Sequence, residues 1–405
     1  MNKFELRIMV LDDDPFMLKL IAHTLESRGY GAVTVRDSAR AALASLASPA
    51  DVPDVIIMDL NMPEMDGVEF ARGLVERHYA GGLILMSGED DRVLHTAEKL
   101  IKAHSLSLLG RLDKPVDAEK MGALLATWVP PQQRMPRVEK KGYAADEVRA
   151  AIANGELVNY YQPKVALATG DVVGVESLVR WRHPEAGMVF PDQFIGVAEA
   201  HGLIDELTRV VLADALDQVR RWHEASLALR VAVNVSMDNL RSLDFPDFVG
   251  ALVEKAGVPP QCLVLEVTES QLMRDARAAL EILTRLRLKR IQLSIDDFGT
   301  GHSSLAQLRD IPFDELKIDR SFVHGAGANR TVRAIYDASL GLAKQLDMTS
   351  VAEGVEDRAD WEFLRSTGCD LAQGYFIAKP MPADDLPGWM LDWKKRVRND
   401  FATKT

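Results

Sequence analysis

Short apolar runs separated by amphipathic helical stretches recur along this chain, and several of them stop at a carboxylate or an amide. Apolar runs that alternate with helical patterns pair as parallel strands, because parallel neighbours need a long crossover between them. Such strands are buried on both faces, so chemistry collects at their carboxyl ends. In the first 130 residues the runs are Ile8–Leu11, Val55–Met58, Leu83–Met86 and Leu106–Leu112. They end at Asp12, Asp13 and Asp14, at Asp59, at Ser87 and at Lys114-Pro115. An α/β fold with a doubly wound parallel sheet is expected there.

That set of strand ends has a chemical logic. Three carboxylates can hold one hard divalent cation through oxygen. Asp59 can attack a phosphoryl group to give an aspartyl phosphate, Lys114 would neutralise phosphoryl oxygens, and the Ser87 hydroxyl would donate to one. Each residue alone also has a structural reading, Asp12 to Asp14 as helix N-caps and Lys114-Pro115 as a turn. Their coincidence at successive strand ends favours the site.

Residues 129–142, VPPQQRMPRVEKKG, contain three prolines and four basic residues without apolar periodicity. They read as an extended tether. Beyond it the runs are Val158–Tyr161, Val172–Val175, Val231–Val235, Leu263–Val267, Ile291–Ile295, Leu316–Ile318, Thr349–Val351 and Ala372–Ile377. Mostly alternating with helices, they predict a (β/α)8 barrel with its site at the carboxyl ends of the strands. Gln162, Glu176, Asn234, Glu266, Glu269, Asp296, Asp297, Lys317, Glu353 and Gln373 stand at those ends.

Asp296 and Asp297 are adjacent and repel each other, which a fold tolerates beside a cation or in open solvent. Acids from several strands in one mouth point to cations, and the absence of a His/Cys set points to Mg2+ or Mn2+ rather than zinc. More acids than one ion needs implies two, with Asp296 bridging, an arrangement that drives in-line displacement at phosphorus. The competing reading is a scatter of solvent-facing acids.

A net charge of −12 argues against sequence-independent nucleic-acid binding. The two cysteines, Cys262 and Cys369, form neither a metal spacing nor a disulfide framework. No run of about 18 apolar residues occurs, and the apolar run in MNKFELRIMVLDDD is too short for a signal peptide. A cytoplasmic protein without membrane insertion is expected.

The first part resembles the response-regulator receiver domain through VLDDDP (10–15), PDVIIMDLNMPEMDG (53–67), MSG (86–88) and DKP (113–115). The resemblance implies a flavodoxin-like, CheY-like domain over residues 1–128. It implies Mg2+ on Asp13, Asp59 and the Asn61 carbonyl with Asp12 assisting, phosphorylation of Asp59 by a histidine kinase with Ser87 and Lys114 at the phosphoryl group, and a cis bond before Pro115. Arg111 stands where many receivers carry an aromatic switch residue.

Residues 143–392 resemble the EAL-domain cyclic-di-GMP phosphodiesterases, with a tail from 393 to 405. The motifs are YYQPKV (160–165), ESLVRW (176–181), NVS (234–236), EVTES (266–270), DDFGTGHSSL (296–305), LKIDRSF (316–322), AEGVE (352–356) and QGYFIAKPM (373–381). The resemblance implies a TIM-like barrel that hydrolyses cyclic di-GMP to linear pGpG. One metal would sit on Glu176, Asn234, Glu266 and Asp296, and a second, with its water, on Asp296, Asp297 and Glu353. Lys317 would orient or help deprotonate the water, and Gln373 would position water or substrate. Gln162, Leu178 and Arg180 would contact the ligand, Glu269 would anchor the loop after Asp297, and the domain would form at least a homodimer.

Ser177 replaces the alanine of the Glu-Ala-Leu motif, and His302 replaces a common tyrosine. Neither removes a ligand, so an active enzyme is expected. The alternative is a cyclic-di-GMP receptor or interaction module without turnover.

Overall fold

The apolar runs of the first part become the inner strands of one sheet. A computed structural model describes residues 3–46, 52–88, 91–104, 106–130, 142–268, 276–299, 308 and 310–402. The chain divides into two units, Met1–Glu139 and Lys140–Thr405. In the first, strands β1 (Arg7–Leu11), β2 (Ala32–Arg36), β3 (Val55–Asp59), β4 (Gly82–Ser87) and β5 (Ser107–Asp113) pair in the order β2-β1-β3-β4-β5, all parallel.

Alternation along each strand splits the core into two layers. Met9, Leu11, Ile56 and Met58 pack with the helices Ala39–Ser45, Gly67–Glu76 and Asp91–Ala103. Ile8, Val10, Val55 and Ile57 pack with Pro15–Ser27 and Ala118–Ala126. The sheet is therefore doubly wound, as expected. Strand β2 was not among the expected runs. It is an edge strand with no fully buried residue, so its sequence, AVTVR, carries no continuous apolar signal.

The second unit carries β6 (Leu157–Ala166), β7 (Val172–His183), β8 (Gly187–Val189), β9 (Arg230–Asn234), β10 (Leu263–Thr268), β11 (Gln292–Phe298), β12 (Glu315–Ile318), β13 (Thr349–Ala352) and β14 (Leu371–Ala372). Pairing of β6 with both β7 and β14 closes an eight-stranded barrel, and β8 adds a short hairpin to β7. One core packs the barrel interior and the flanking helices, among them Ile204–Glu224 through Leu207, Val211, Ala215 and Val219.

Three details differ from the sequence expectation. Strand β6 runs antiparallel to both neighbours, because five residues join it to β7, too few for a parallel crossover. The run from Ala372 to Ile377 is strand only as far as Ala372. There the chain turns at Gly374 and curls over Val355, with Phe376 N donating to the Val355 carbonyl at 2.9 Å. The tail expected from residue 393 begins inside the helix Leu386–Ala402, where buried Trp393 donates to the Gly170 carbonyl at 2.9 Å. Most of the tether, residues 131–141, lies outside the described residues.

Among the described residues no helix is long and apolar enough to cross a membrane.

A methyl group at Gly374 would meet Val355 N at 2.2 Å and its carbonyl oxygen at 2.3 Å, backbone atoms that cannot step aside. Gly374→Ala is therefore expected to destabilise the second unit by about 1–3 kcal/mol, read as a lowered denaturant midpoint. An unchanged midpoint would contradict this close packing.

Candidate active site

Lys317 organises the barrel mouth. Its strand, ELKI, is buried throughout, and the side chain is 1% exposed. Its Nζ lies 2.7 Å from Glu353 Oε1, 3.0 Å from Glu266 Oε2, 3.0 Å from Asp296 Oδ1 and 3.7 Å from Glu176 Oε2. The four acids arrive from β7, β10, β11 and the segment after β13, so the barrel gathers positions spread over 178 residues (353 − 176 + 1).

Amides tie the acids together. Asn234 Nδ2 donates to Glu176 Oε1 at 2.9 Å and lies 3.4 Å from Glu266 Oε2. Gln373 Nε2 donates to Glu176 Oε2 at 2.6 Å and to Gln162 Oε1 at 3.0 Å, and Gln162 Nε2 donates to the Ala378 carbonyl at 3.0 Å. Gln162 and Glu176 are register partners in the middle of the β6–β7 hairpin, not strand-end residues as the apolar runs implied.

The paired aspartates sit where the β11–β12 register shifts, between Ile295 and Phe298. Asp297 has φ +55°, and its N–H donates to Asp296 Oδ1 at 2.9 Å. This break in alternation leaves both carboxylates close to Glu353, with one oxygen from each of the three within 4.8 Å of the others.

The charge balance is unfavourable. Burial pushes Glu353 up to about 8, with Asp296 and Glu176 adding to the rise against the pull of Lys317. Burial likewise raises Glu176 to about 6, helped by Glu266. Burial also pushes Glu266 up, but Lys164 and Lys317 outweigh it and hold this carboxyl down at about 2. Burial and then Asp296 raise Asp297. Burial disfavours the ammonium of Lys317, yet the surrounding carboxylates hold it well above the ordinary lysine range. Convergent oxygens without a cysteine or histidine among them, and short of positive charge, fit hard divalent cations such as Mg2+ or Mn2+.

Leu178 lines a mainly apolar cavity of about 200 Å³ that also touches Pro191, Ile195 and Asn234. Arg180 is 8% exposed, and its guanidinium carbon lies 5.1 Å from the centre of the Phe190 ring and 5.9 Å from that of Tyr160. Glu269 and His302 lie outside the described residues. The sequence reading passed over Lys164 and Glu315, both buried. Lys164 Nζ lies 2.7 Å from Glu266 Oε1 and 3.3 Å from Glu315 Oε2. Their signal was the two-residue strand period, which sets Lys164 on the side of Gln162 and Glu315 on that of Lys317.

The first unit repeats the motif on a smaller scale. Lys114 Nζ lies 2.8 Å from both Asp12 Oδ2 and Asp59 Oδ2, and oxygens of Asp12, Asp13 and Asp59 fall within 4.8 Å of one another. Asp14 is diverted to cap the next helix, accepting from Phe16 N at 2.8 Å. Burial raises Asp59, although hydrogen bonds from Lys114 and the Asn61 backbone oppose the rise. Ser87 ends β4 and is buried, and Lys114 N donates to its carbonyl at 3.1 Å. The Lys114–Pro115 bond is cis, and Arg111 lies on β5.

The family model for the EAL domain matches residues 145–380, and that for the response regulator receiver domain matches residues 8–126. The chain is similar to the cyclic di-GMP phosphodiesterase RocR of Pseudomonas aeruginosa, 34% identical over 381 residues, covering 93% of this chain and 97% of RocR. It is similar to the cyclic di-GMP phosphodiesterase NbdA of the same organism, 44% identical over 252 residues, covering 62% of this chain but 32% of NbdA. Among solved structures, the PaMucR phosphodiesterase in complex with c-di-GMP shares 42% identity at a TM-score of 0.57, covering 60% of this chain and 98% of that one.

Glu353 and Glu176 keep protons in the metal-free fold that an unfolded chain releases near pH 4.5. Their folded values lie above the unfolded ones, so this stabilisation is complete below about pH 4.5 and is lost as pH rises towards about 8. In EDTA, the melting temperature is expected to fall between about pH 5.5 and about pH 8, and Glu353→Gln to flatten that slope. Identical slopes in wild type and variant would contradict the charge balance.

Proposed function

We propose, for a chain that belongs to the EAL domain family and carries a response regulator receiver domain ahead of it, that the barrel hydrolyses cyclic di-GMP to linear pGpG under control of phosphorylation at Asp59. The carrying observation is the ring of Glu176, Glu266, Asp296 and Glu353 around Lys317, with Asp297 beside it. Similarity to RocR along nearly the whole of both chains supports the same reading.

Glu176, Asn234, Glu266 and Asp296 would hold one divalent ion and Asp296, Asp297 and Glu353 a second. Asn234 would serve with its amide turned over to present oxygen. Two such ions supply charge neutralisation at the phosphodiester and acidify water. The chain's own groups do the rest. Arg180, held between Phe190 and Tyr160, would take a phosphate, and the cavity at Leu178 would receive part of a base. Lys317 is kept protonated by its neighbours, so it donates rather than accepts, orienting the attacking water and tempering repulsion among the acids. Glu353 and Asp297, whose oxygens converge with those of Asp296, would serve the second ion's water and lie within reach of its proton. Gln373, fixed by Glu176 and Gln162, would position water or substrate. Attack breaks one P–O3′ bond, the 3′ oxygen leaves with a proton, and the new 5′ phosphate remains on pGpG.

In the receiver, Asp59 would take the phosphoryl group from a histidine kinase, with Mg2+ on Asp12, Asp13, Asp59 and the Asn61 carbonyl. Lys114 and Ser87 would contact the phosphoryl oxygens. A cytoplasmic setting and at least a homodimer complete the proposal.

Purified protein with Mg2+ or Mn2+ is expected to convert cyclic di-GMP to pGpG, and Asp296→Ala to lose turnover by about 10²–10³-fold or more. Binding without product in wild type, with or without a phosphodonor, would make the barrel a receptor instead. A small-molecule phosphodonor is expected to change the turnover of wild type and not that of Asp59→Ala. Equal rates in all four combinations would remove phosphorylation control.

A further inference from the structure

Beneath the ring of acids lies a second buried cation. Lys164, on β6, is 3% exposed and shares its ammonium between two glutamates from different strands. The shorter contact, 2.7 Å, is to Glu266 Oε1, and the longer, 3.3 Å, to Glu315 Oε2. Glu266 is itself 0% exposed, and its other oxygen, Oε2, is 3.0 Å from Lys317. One carboxylate is thus gripped at both oxygens by lysines on opposite sides. Glu315 has a further cation nearby, Arg230 Nη1 at 3.7 Å. The space bounded by Lys164, Gly174, Arg230 and Glu315 is a cavity of about 10 Å³, room for one water at most. Bulk solvent therefore cannot stand in for the ammonium, and among the described residues Lys164 is the cation that holds Oε1.

We propose that Lys164 is a positioning residue for the phosphodiester reaction, tying Glu266 Oε1 to the floor of the barrel so that only Oε2 is presented to the mouth. A carboxylate fixed at one oxygen cannot swing to chelate through both. A purely structural role is the rival. In that case Lys164 only neutralises Glu315, and Glu266 would hold its place without it. The inference rests on reading the mouth as a divalent-metal phosphodiesterase site.

The test compares full-length wild type with Lys164→Met and with Lys164→Met/Glu315→Gln, in which the floor loses both charges at once. Three quantities are read: melting temperature, Mn2+ affinity by calorimetry without substrate, and kcat and KM for cyclic di-GMP. The double variant is expected to fold but to melt below wild type, because Glu266 Oε1 loses its buried partner while the charge of Glu315 is removed together with that of Lys164. Its Mn2+ affinity and kcat are expected to fall roughly 10–100-fold, as when a ligand's supporting partner is removed, with KM within about twofold. Wild-type Mn2+ affinity and kcat in the double variant would overturn the proposal. If the methionine variants do not fold, Lys164→Arg keeps the charge but not the point contact. Mn2+ affinity lowered in Lys164→Arg supports the proposal, and wild-type affinity overturns it. Should wild type bind Mn2+ yet leave cyclic di-GMP intact, the phosphodiesterase reading fails while Mn2+ affinity still decides the role of Lys164.

Discussion

One ammonium facing four carboxylates is the constraint on which the barrel depends. Lys317 cannot neutralise Glu176, Glu266, Asp296 and Glu353 together, so two of the four rise towards neutrality and Glu266 stays ionised only with help from below. Such a cluster persists because its members sit on paired strands whose outer faces are packed into one hydrophobic core. Relaxing the repulsion by moving an acid would mean pulling a strand out of the barrel. The stability of the core is what holds the site in a state it would not choose, and that state favours divalent cations.

The two units express one arrangement at different ratios. In the first, Lys114 bridges Asp12 and Asp59, and the nearby Asp13 is exposed. That partly open cluster has room for one divalent ion. In the second, four acids stand around one lysine, with Asn234 and Gln373 bonded to Glu176, an oxygen-rich cluster that suits divalent cations. Parallel strands deliver their carboxyl ends to a common edge, and in the barrel Glu176 joins that edge from the middle of the β6–β7 hairpin.

Most of this was legible in the sequence because long buried strands are continuous apolar runs and their terminal acids are conspicuous. β1, β3, β4 and the inner barrel strands fall within a few residues of the runs. The failures have distinct physical origins. β2 packs at a sheet edge, where none of its side chains is fully buried, and leaves no run. Ala372 to Ile377 is apolar because it folds over Val355, not because it extends. The reversed direction of β6 was readable in the length of its connection to β7. Lys164 and Glu315 were hidden for another reason. A lysine inside an apolar strand reads as a solvent-facing residue until the partner strands are known, and its partners Glu266 and Glu315 lie 102 and 151 residues away.

The left-handed backbone at Asp297 filters residue identity twice over. At φ +55°, aspartate, asparagine and glycine are tolerated far better than glutamate or any branched side chain. The cluster of oxygens it forms with Asp296 and Glu353 is a separate, chemical constraint at that point. Conformation alone would admit glycine, and chemistry alone would admit glutamate. Their intersection leaves aspartate, with asparagine as a neutral shadow of it. Substitution there is thus limited by the shape of the chain before any question of catalysis arises, and a longer acid carries a backbone cost that aspartate largely avoids.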